Sequence, residues 1–361
     1  MKKIFIIIYL FLLLIKPVLA SPQSASSYII MDMNSNQVLS SKNKDSPKLI
    51  ASITKIMTCI LAIENKNIND LVTVDSSVLK SYGSGIYIKP GEEISLLDLL
   101  YGLMLRSGND AAIMISNYVS GSEEEFVKLM NQKAKEIGMH NTIFYNSSGL
   151  DNNIKGNLST PYDMALLTSY AMKNKTYRDI VKTKKHTVKT NLNTYIWHNK
   201  NKLLRYDYIT GGKTGYTDKA KRTLVSTASK DNMDLVVVTI RDSDDWNTHK
   251  YLYEQTFNNY KSYKVLNKNK FKVLGDNYYD SLYIKNDVYL TLKKNESKSL
   301  ISHIKLNKIK NYYDNQLVGT DYIYLGNKLL HQENIYAKKN SKRKTNFFEY
   351  LKNKLRKKHY D

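Results

Sequence analysis

The sequence predicts an α/β (α+β) domain, built from an antiparallel sheet with a helical cluster, and a small all-β domain after it. Strand patterns lie near both ends of the first domain, at 27–40 and 211–241, and mostly helical patterns lie between them. We therefore expect one sheet assembled from the first and last parts of that domain. Beyond Lys261, short alternating runs are separated by Asn, Asp and Gly, which is typical of a β domain.

The first domain is predicted to span residues 21–261, and its pattern changes from strand to helix and back to strand. The predicted elements are, in chain order, a hairpin at 27–40, an apolar helix at 52–65, mostly helical structure over 96–175 with stops at Gly121 and Gly138, strands at 211–216, 222–227 and 235–241, and a helix at 247–260.

The second domain is predicted to span residues 262–336 and to contain strands only. Each predicted strand is a short run in which apolar and polar residues alternate, and turn-forming residues separate one run from the next. These runs are 271–274, 281–284, 287–292 and 321–325.

Residues 337–361 form a basic tail with ten basic and two acidic residues, a local charge of +8. Its apolar residues Phe347, Phe348, Leu351 and Leu355 fall at helical spacing. This pattern favours an amphipathic helix that lies on an anionic membrane surface. The alternative is a solvated, frayed terminus, because four apolar residues make a narrow face.

Residues 1–20 are predicted to be a cleaved secretory signal. Lys2 and Lys3 precede an apolar run at 4–15, and small-residue cleavage chemistry follows at Ala20. This run is shorter than the roughly 18 residues that a membrane-spanning helix needs, so a cleaved signal is favoured over a retained helix. The mature protein would begin near Ser21 and act outside the cytoplasm, at the outer face of the cytoplasmic membrane or in the cell wall.

The formal net charge of the chain is +22, and it stays strongly positive without the predicted signal. Such an excess attracts polyanions, namely nucleic acid, anionic lipid headgroups or cell-wall polymers. Export argues against nucleic acid as the partner. Much of the charge is also compositional, because Lys is abundant along the whole chain.

The single cysteine and the histidines argue against a disulfide framework and a metal site. Cys59 lies in an apolar helical stretch and is expected to be a small buried residue. The seven histidines are scattered without ligand spacing, so we expect no catalytic metal and no cofactor.

The first chemical motif is a Ser-x-x-Lys formed by Ser52 and Lys55. On a helix, positions i and i+3 share a face, so the amine of Lys55 can reach the hydroxyl of Ser52. A serine hydroxyl is a poor nucleophile until a neighbouring base takes its proton, and a lysine serves when its pKa is lowered enough to leave it neutral. Alone, this motif is weak, because a lysine-rich chain contains such spacings by chance.

Two further motifs follow in order along the chain. Ser107-Gly108-Asn109 suits a loop that offers a proton-relay hydroxyl and a hydrogen-bonding amide. Lys213-Thr214-Gly215 suits a strand on which Lys213 adds positive charge beside a substrate carboxylate and lowers the pKa of Lys55. Thr214 can hydrogen-bond that carboxylate, and Gly215 leaves room for a substrate backbone. Taken alone, Ser107-Gly108-Asn109 is better explained as an ordinary turn between helices, and Lys213-Thr214-Gly215 could be a sheet-edge turn with a solvated lysine.

Together, the three motifs resemble those of the penicillin-recognising serine acyltransferases. The sequences around Ser52 and Ser107, and the segments 144–151 and 160–165, are similar to the D-alanyl-D-alanine carboxypeptidase branch of low-molecular-mass penicillin-binding proteins. The resemblance covers residue 25 to about 260 strongly, and it implies a DD-peptidase/β-lactamase-like fold. Two departures are Gly211-Gly212 before the third motif and Tyr216 after it.

The resemblance implies acyl transfer to Ser52 from a peptidoglycan stem peptide ending in D-Ala-D-Ala. Lys55 would take the proton, Ser107 would bridge to Lys213 and return it, and Asn109 would hold the substrate amide. The oxyanion would lie between the backbone N–H groups of Ser52 and Tyr216, an arrangement commonly worth about 3 to 4 kcal/mol. β-Lactams would be covalent inhibitors.

Three alternatives remain open from the sequence. A β-lactamase shares the motifs, although a second β domain and a basic tail are unexpected there. An endopeptidase that cleaves cross-links uses the same residues. A catalytically idle cell-wall-binding protein would not need all of the catalytic groups present here. Arg241, at a predicted strand end, was also considered for carboxylate binding, but a structural role is favoured.

Overall fold

The computed structural model describes residues 24–151 and 155–339. The predicted signal at 1–20 and all but the first three residues of the predicted tail lie outside the described residues. The chain divides into two compact units between Asn259 and Tyr260. Among the helices within the described ranges, none is long and apolar enough to cross a membrane.

The first unit combines antiparallel strands with a cluster of helices. Its strands are β1 (Ala25–Asp32), β2 (Val38–Lys42), β3 (Lys48–Leu49), β4 (Leu71–Thr73), β5 (Glu93–Ser95), β6 (Leu158–Ser159), β7 (Lys185–Lys189), β8 (Thr194–His198), β9 (Ile209–Thr217), β10 (Lys221–Lys230) and β11 (Met233–Asp242). Its α-helices are α1 (Lys55–Asn65), α2 (Leu96–Tyr101), α3 (Asn109–Ser120), α4 (Glu123–Glu136), α5 (Pro161–Ala171), α6 (Lys175–Lys182) and α7 (Asp245–Asn259).

The main sheet of this unit has the strand order β2-β1-β11-β10-β9, and each neighbouring pair is antiparallel. It therefore joins the first strands of the unit to the last ones, as the sequence predicted. Strand β11 lies in the middle, where Leu235 to Ile240 are all buried. A strand covered on both faces needs a continuous apolar run, which explains the Leu-Val-Val-Val sequence. Strand β9, which carries Lys213-Thr214-Gly215, is an edge strand.

Helix α1 lies inside the helical cluster, and its first eight residues, Lys55 to Ala62, are all buried. A helix that is apolar on every side has to be surrounded by other elements. Cys59 is a free and fully buried thiol whose pKa is raised by burial, which confirms the expectation of a buried residue. Because the helix is enclosed, the amine of Lys55 is carried into the core.

Two helices of the first unit, α3 and α4, end near the glycines at which the sequence predicted helix stops. Gly121 follows α3 with a left-handed backbone (φ 80°) and donates its N–H to the carbonyl of Asn117, and Gly138 lies just beyond α4 with φ 84°. Glycine adopts this conformation without the steric cost of a side chain, so it ends helices readily.

The second unit contains strands and a short 3-10 turn. Its strands are β12 (Tyr260–Leu266), β13 (Ser281–Tyr283), β14 (Val288–Lys293), β15 (Leu300–Leu306), β16 (Gln316–Leu325) and β17 (Lys328–Lys338). Strands β13-β17-β16-β15 form one sheet, and β12 pairs with β14 in another. The prediction of a small all-β domain is confirmed for the described residues.

Two details of the predicted β domain are wrong. Residues 271–274 are irregular, since Leu274 is 92% exposed and no strand pairs with this segment in the described part of the chain. Strand β17 continues to Lys338, past the predicted domain end at 336. Its sequence is mostly polar, so pairing with β16 along its length determines its conformation rather than an alternating apolar pattern.

Candidate active site

Ser52 lies in a 3-10 turn, Ala51–Thr54, that leads directly into α1, and Lys55 is the first residue of that helix. The Nζ atom of Lys55 lies 3.2 Å from the Oγ atom of Ser52. Ser52 is half-buried and lines a cleft, whereas Lys55 is completely buried behind it. The two groups are therefore placed for proton transfer from an accessible hydroxyl to an enclosed amine.

The environment of Lys55 favours its neutral form. Burial, and next the nearby charge of Lys200, lower the pKa of Lys55 from 10.5 to about 7, while Asp110 opposes this shift. The amine donates hydrogen bonds to Oδ1 of Asn109 at 2.7 Å and to the carbonyl of Ser148 at 2.5 Å. A neutral amine has two N–H groups and one lone pair. Because two carbonyl oxygens take both N–H groups, the lone pair is left for the hydroxyl of Ser52.

The loop that supplies the carbonyl of Ser148 packs tightly against the turn that carries Ser52. Gly149 has φ 87°, and a Cβ atom there would lie 2.0 Å from the carbonyl oxygen of Ala51. Asn157 donates a hydrogen bond of 2.9 Å to Oγ1 of Thr54. Ser148 and Gly149 belong to the segment 144–151, whose sequence resembles the carboxypeptidase branch, and they contact both the amine of Lys55 and the turn that carries Ser52.

The second motif lies between two helical segments with unusual backbone geometry. A π-helical turn, Gly102–Arg106, leads to Ser107, which has a left-handed backbone with φ 67°. Such π turns occur frequently at functional sites. Ser107 accepts a hydrogen bond of 3.0 Å from Lys213, as the proposed bridge requires. Asn109 begins α3 and donates from Nδ2 to the carbonyl of Tyr82 at 2.6 Å, so part of its amide already has a protein partner.

Lys213 occupies a different position from the one expected. It is only 1% exposed, and its Nζ donates to Ser107 and to the carbonyl of Thr214 at 2.7 Å. Burial, followed by the charges of Lys55 and Lys200, lowers the pKa of Lys213 well below its usual range. Lys213 is thus enclosed beside Ser107, and the positive charge that lowers the pKa of Lys55 is that of Lys200.

Gly215 lets strand β9 lie directly against the turn Ala51–Thr54, which carries Ser52. A Cβ atom at this position would lie 2.3 Å from Oγ1 of Thr223 and 3.0 Å from the backbone nitrogen of Ser52. The absence of a side chain at Gly215 therefore lets Thr223 and the backbone of Ser52 approach strand β9 closely. Tyr216 is 59% exposed, and its hydroxyl donates to Asp218 at 3.0 Å.

The cleft at Ser52 has a volume of about 310 Å³. Five of the sequence-predicted residues line it together, while Lys55 and Lys213 are buried and Asn109 lines a neighbouring cleft of about 390 Å³. The lining residues are Ser52, Ser84, Ser107, Lys200, Thr214, Gly215, Tyr216, Arg222, Thr223, Asp245 and Trp246.

Two cations in this cleft were missed by the sequence reasoning. Lys200 donates to Oγ of Ser84 at 3.2 Å, and Arg222 forms an ion pair with Asp245. Arg222 lies opposite Tyr216 in the β9–β10 pair, a position that follows from the strand register and not from a local motif. Arg241, which the sequence raised instead, is exposed and donates to the carbonyl of Lys219.

Comparison with known proteins agrees with this geometry. Residues 17–244 match the D-alanyl-D-alanine carboxypeptidase family, and residues 255–343 match the C-terminal domain of penicillin-binding protein 5. D-alanyl-D-alanine carboxypeptidase DacF of Bacillus subtilis (strain 168) is 37% identical over 221 residues, which are 59% of this chain and 56% of DacF. DacA of Escherichia coli (strain K12) is 31% identical over 336 residues, which are 85% of this chain and 81% of DacA.

The crystal structure of penicillin-binding protein 5 from Haemophilus influenzae has a TM-score of 0.75 at 26% identity, and the match covers 89% of this chain and 98% of that one. The predicted family and fold are therefore confirmed. From the ordered motifs, the assembled cleft and these matches together, the chain belongs to the D-alanyl-D-alanine carboxypeptidase family.

Proposed function

We propose that Ser52 is the nucleophile with which this serine-type D-alanyl-D-alanine carboxypeptidase removes the terminal D-alanine of peptidoglycan stem pentapeptides. One observation carries the proposal. Lys55 is fully buried, its Nζ atom donates to the carbonyl oxygens of Asn109 and Ser148, and the same atom lies 3.2 Å from the hydroxyl oxygen of Ser52. A base held in this way activates a serine without help from a histidine.

In the acylation step, the oxygen of Ser52 forms a bond to the carbonyl carbon of the penultimate D-alanine. The proton of the hydroxyl passes to Lys55, and the C–N bond to the terminal D-alanine breaks. Ser107 lies in the same cleft, gives its hydroxyl proton to the leaving amine and regains a proton from Lys213, to which it is hydrogen-bonded. The proton that Lys55 took from Ser52 then replaces the one lost by Lys213, so both lysines return to their starting states. Water then hydrolyses the ester and releases the shortened peptide from Ser52.

The same site accounts for inhibition by β-lactams. Attack of Ser52 on the lactam carbonyl opens the ring, but the leaving nitrogen stays attached to the acyl group. The acyl-enzyme therefore keeps a bulky group in the cleft of about 310 Å³, where it obstructs the hydrolytic water.

The proposal is tested by adding benzylpenicillin to the purified protein and following its intact mass, together with D-alanine release from a pentapeptide. We expect one persistent adduct on Ser52 and release of the terminal D-alanine. Rapid consumption of penicillin without an adduct would indicate a β-lactamase instead. Cleavage of cross-linked dimers in preference to pentapeptides would indicate an endopeptidase.

The domain limits and the location of the protein belong to the same proposal. Peptidoglycan lies outside the cytoplasmic membrane, so a secretory signal at 1–20 would bring the catalytic domain, 21–261, to its substrate. The β domain, 262–336, would follow it.

The basic tail at 337–361 would contact anionic lipid. Deleting residues 341–361 should reduce co-sedimentation with vesicles that contain anionic phospholipid, and added salt should reduce the binding of the intact protein. Equal binding by the shortened and intact proteins would contradict the membrane role of the tail. A vesicle without anionic lipid provides the control.

A further inference from the structure

The active-site cleft contains an arginine that two neighbouring residues hold in place. Arg222, on β10, donates from Nε to Oδ2 of Asp245 at 3.1 Å and from Nη2 to Oδ1 at 2.5 Å. The ring of Trp246 lies 5.5 Å from the guanidinium. A bidentate ion pair and an aromatic ring within cation–π distance together restrict the orientation of the guanidinium.

In this ion pair, the side chain of Arg222 is exposed to the cleft and that of Asp245 is buried. The side chain of Asp245 is 3% exposed, whereas that of Arg222 is 40% exposed and lines the cleft with Ser52. Within the described part of the chain, the guanidinium uses Nε and Nη2 for Asp245, which leaves the N–H groups of Nη1 available to a ligand. A carboxylate is the ligand that best fits a planar guanidinium edge.

The sheet register places this cation beside the residue expected to receive the substrate carboxylate. Arg222 is paired with Tyr216 and Leu224 with Thr214, so Arg222 and Thr214 are diagonal neighbours on one face of the sheet. Side chains in this relation are within reach of each other when one of them is long. Lys213 is buried and hydrogen-bonded to Ser107, so its amine is not exposed to a ligand in the cleft.

We propose that Arg222, oriented by Asp245 and Trp246, binds the free terminal carboxylate of the substrate and selects for peptides that have one. This inference rests on the proposed carboxypeptidase function and identifies the specificity-determining cation of that site. The carboxylate of benzylpenicillin would use the same contact. The role is distinct from that of Lys200, which is hydrogen-bonded to Ser84.

The test compares acylation by benzylpenicillin with acylation by its methyl ester, which lacks the carboxylate charge. In Arg222→Gln, the ratio of the two second-order rate constants should fall by about 10- to 100-fold, because a charge-assisted hydrogen bond is lost only for the free acid. Asp245→Asn keeps the shape but weakens the hold on the guanidinium, so a smaller fall is expected. Arg241→Gln, which removes an exposed arginine bonded to Lys219, is the matched control and should leave the ratio unchanged.

A structural role for Arg222 would lower both rate constants by the same factor, and that result would overturn the inference. A fall of the ratio in Arg241→Gln but not in Arg222→Gln would overturn it as well. If Arg222→Gln does not fold, Arg222→Lys keeps the charge, and the same ratio is measured with a peptide ending in D-Ala-D-Ala and its C-terminal amide. A wild-type protein that reacts with neither probe would overturn the proposed function together with this inference.

Discussion

Replacing Ser52 by alanine should abolish the benzylpenicillin adduct and lower D-alanine release by about 10⁴-fold or more. The physical reason is that the substitution removes the oxygen that forms the acyl bond while leaving the cleft and Lys55 in place. Ser52 contributes little packing, because it is half-buried at the cleft, so the folded state should persist. Intact mass and D-alanine release measure the two losses, and circular dichroism checks the fold.

Ser84 and Ser107 provide matched controls because they line the same cleft. Neither hydroxyl is within hydrogen-bonding distance of Lys55; Ser84 accepts from Lys200, and Ser107 accepts from Lys213. Ser84→Ala and Ser107→Ala should therefore still form the adduct, the latter more slowly because the proton relay is broken. An adduct of full stoichiometry in Ser52→Ala would contradict the assignment of the nucleophile.

Lys55→Met should lower the rate of acylation by about 10³- to 10⁴-fold, near the upper range for the loss of a general base. Methionine fills a similar volume without a charge, so the buried position at the start of α1 should tolerate it. Lys66→Met, at the end of the same helix, is the control for loss of a lysine far from the reaction. If Lys55→Met reacted with penicillin as fast as the wild type, another group would have to be the base.

The pH dependence of acylation should show one acidic limb near pH 7. Lys55 accepts a proton only when neutral, and its pKa is lowered to about 7, so the rate should rise about tenfold per pH unit below that value and level off above it. Lys200→Gln removes a positive charge, which raises the pKa of Lys55 and moves the limb to higher pH. Lys200→Arg keeps the charge and should keep the limb in place. A rate that is constant from about pH 5 to about pH 9 would contradict this account.

The local parts of the fold and site were predictable from short stretches of sequence. The amine of Lys55 meets Ser52 because the two residues occupy positions i and i+3 of a helical segment, a distance that helix geometry alone determines. The apolar run of β11 and the glycine after α3 likewise indicated a buried strand and a helix end. In each case, the signal lies within one turn or one strand.

Other features depended on the packing of segments that are far apart in sequence. The hairpin β7–β8 was not predicted, although β8 contains the run Tyr195-Ile196-Trp197, and the predicted strand at 271–274 found no partner among the described residues. The short motif around Lys213 predicted a positive charge facing the substrate, but only the packing around it showed that this lysine is enclosed. Burial is a property of the assembled core, and a local motif does not encode it.

The ordered motifs therefore predict the nucleophile, its base and the strand beside them, because the chemistry needs those residue types at close spacing. The tertiary structure identifies the charged residues that lower the pKa of Lys55 and that line the cleft beside Ser52. Lys200 acts on Lys55 across 145 residues of sequence, and Arg222 meets Asp245 through the contact of α7 with β10. Electrostatic effects depend on distance and burial in three dimensions. The positions of Lys200 and Arg222 in the cleft therefore depend on how the sheet and helices pack, which no local motif encodes.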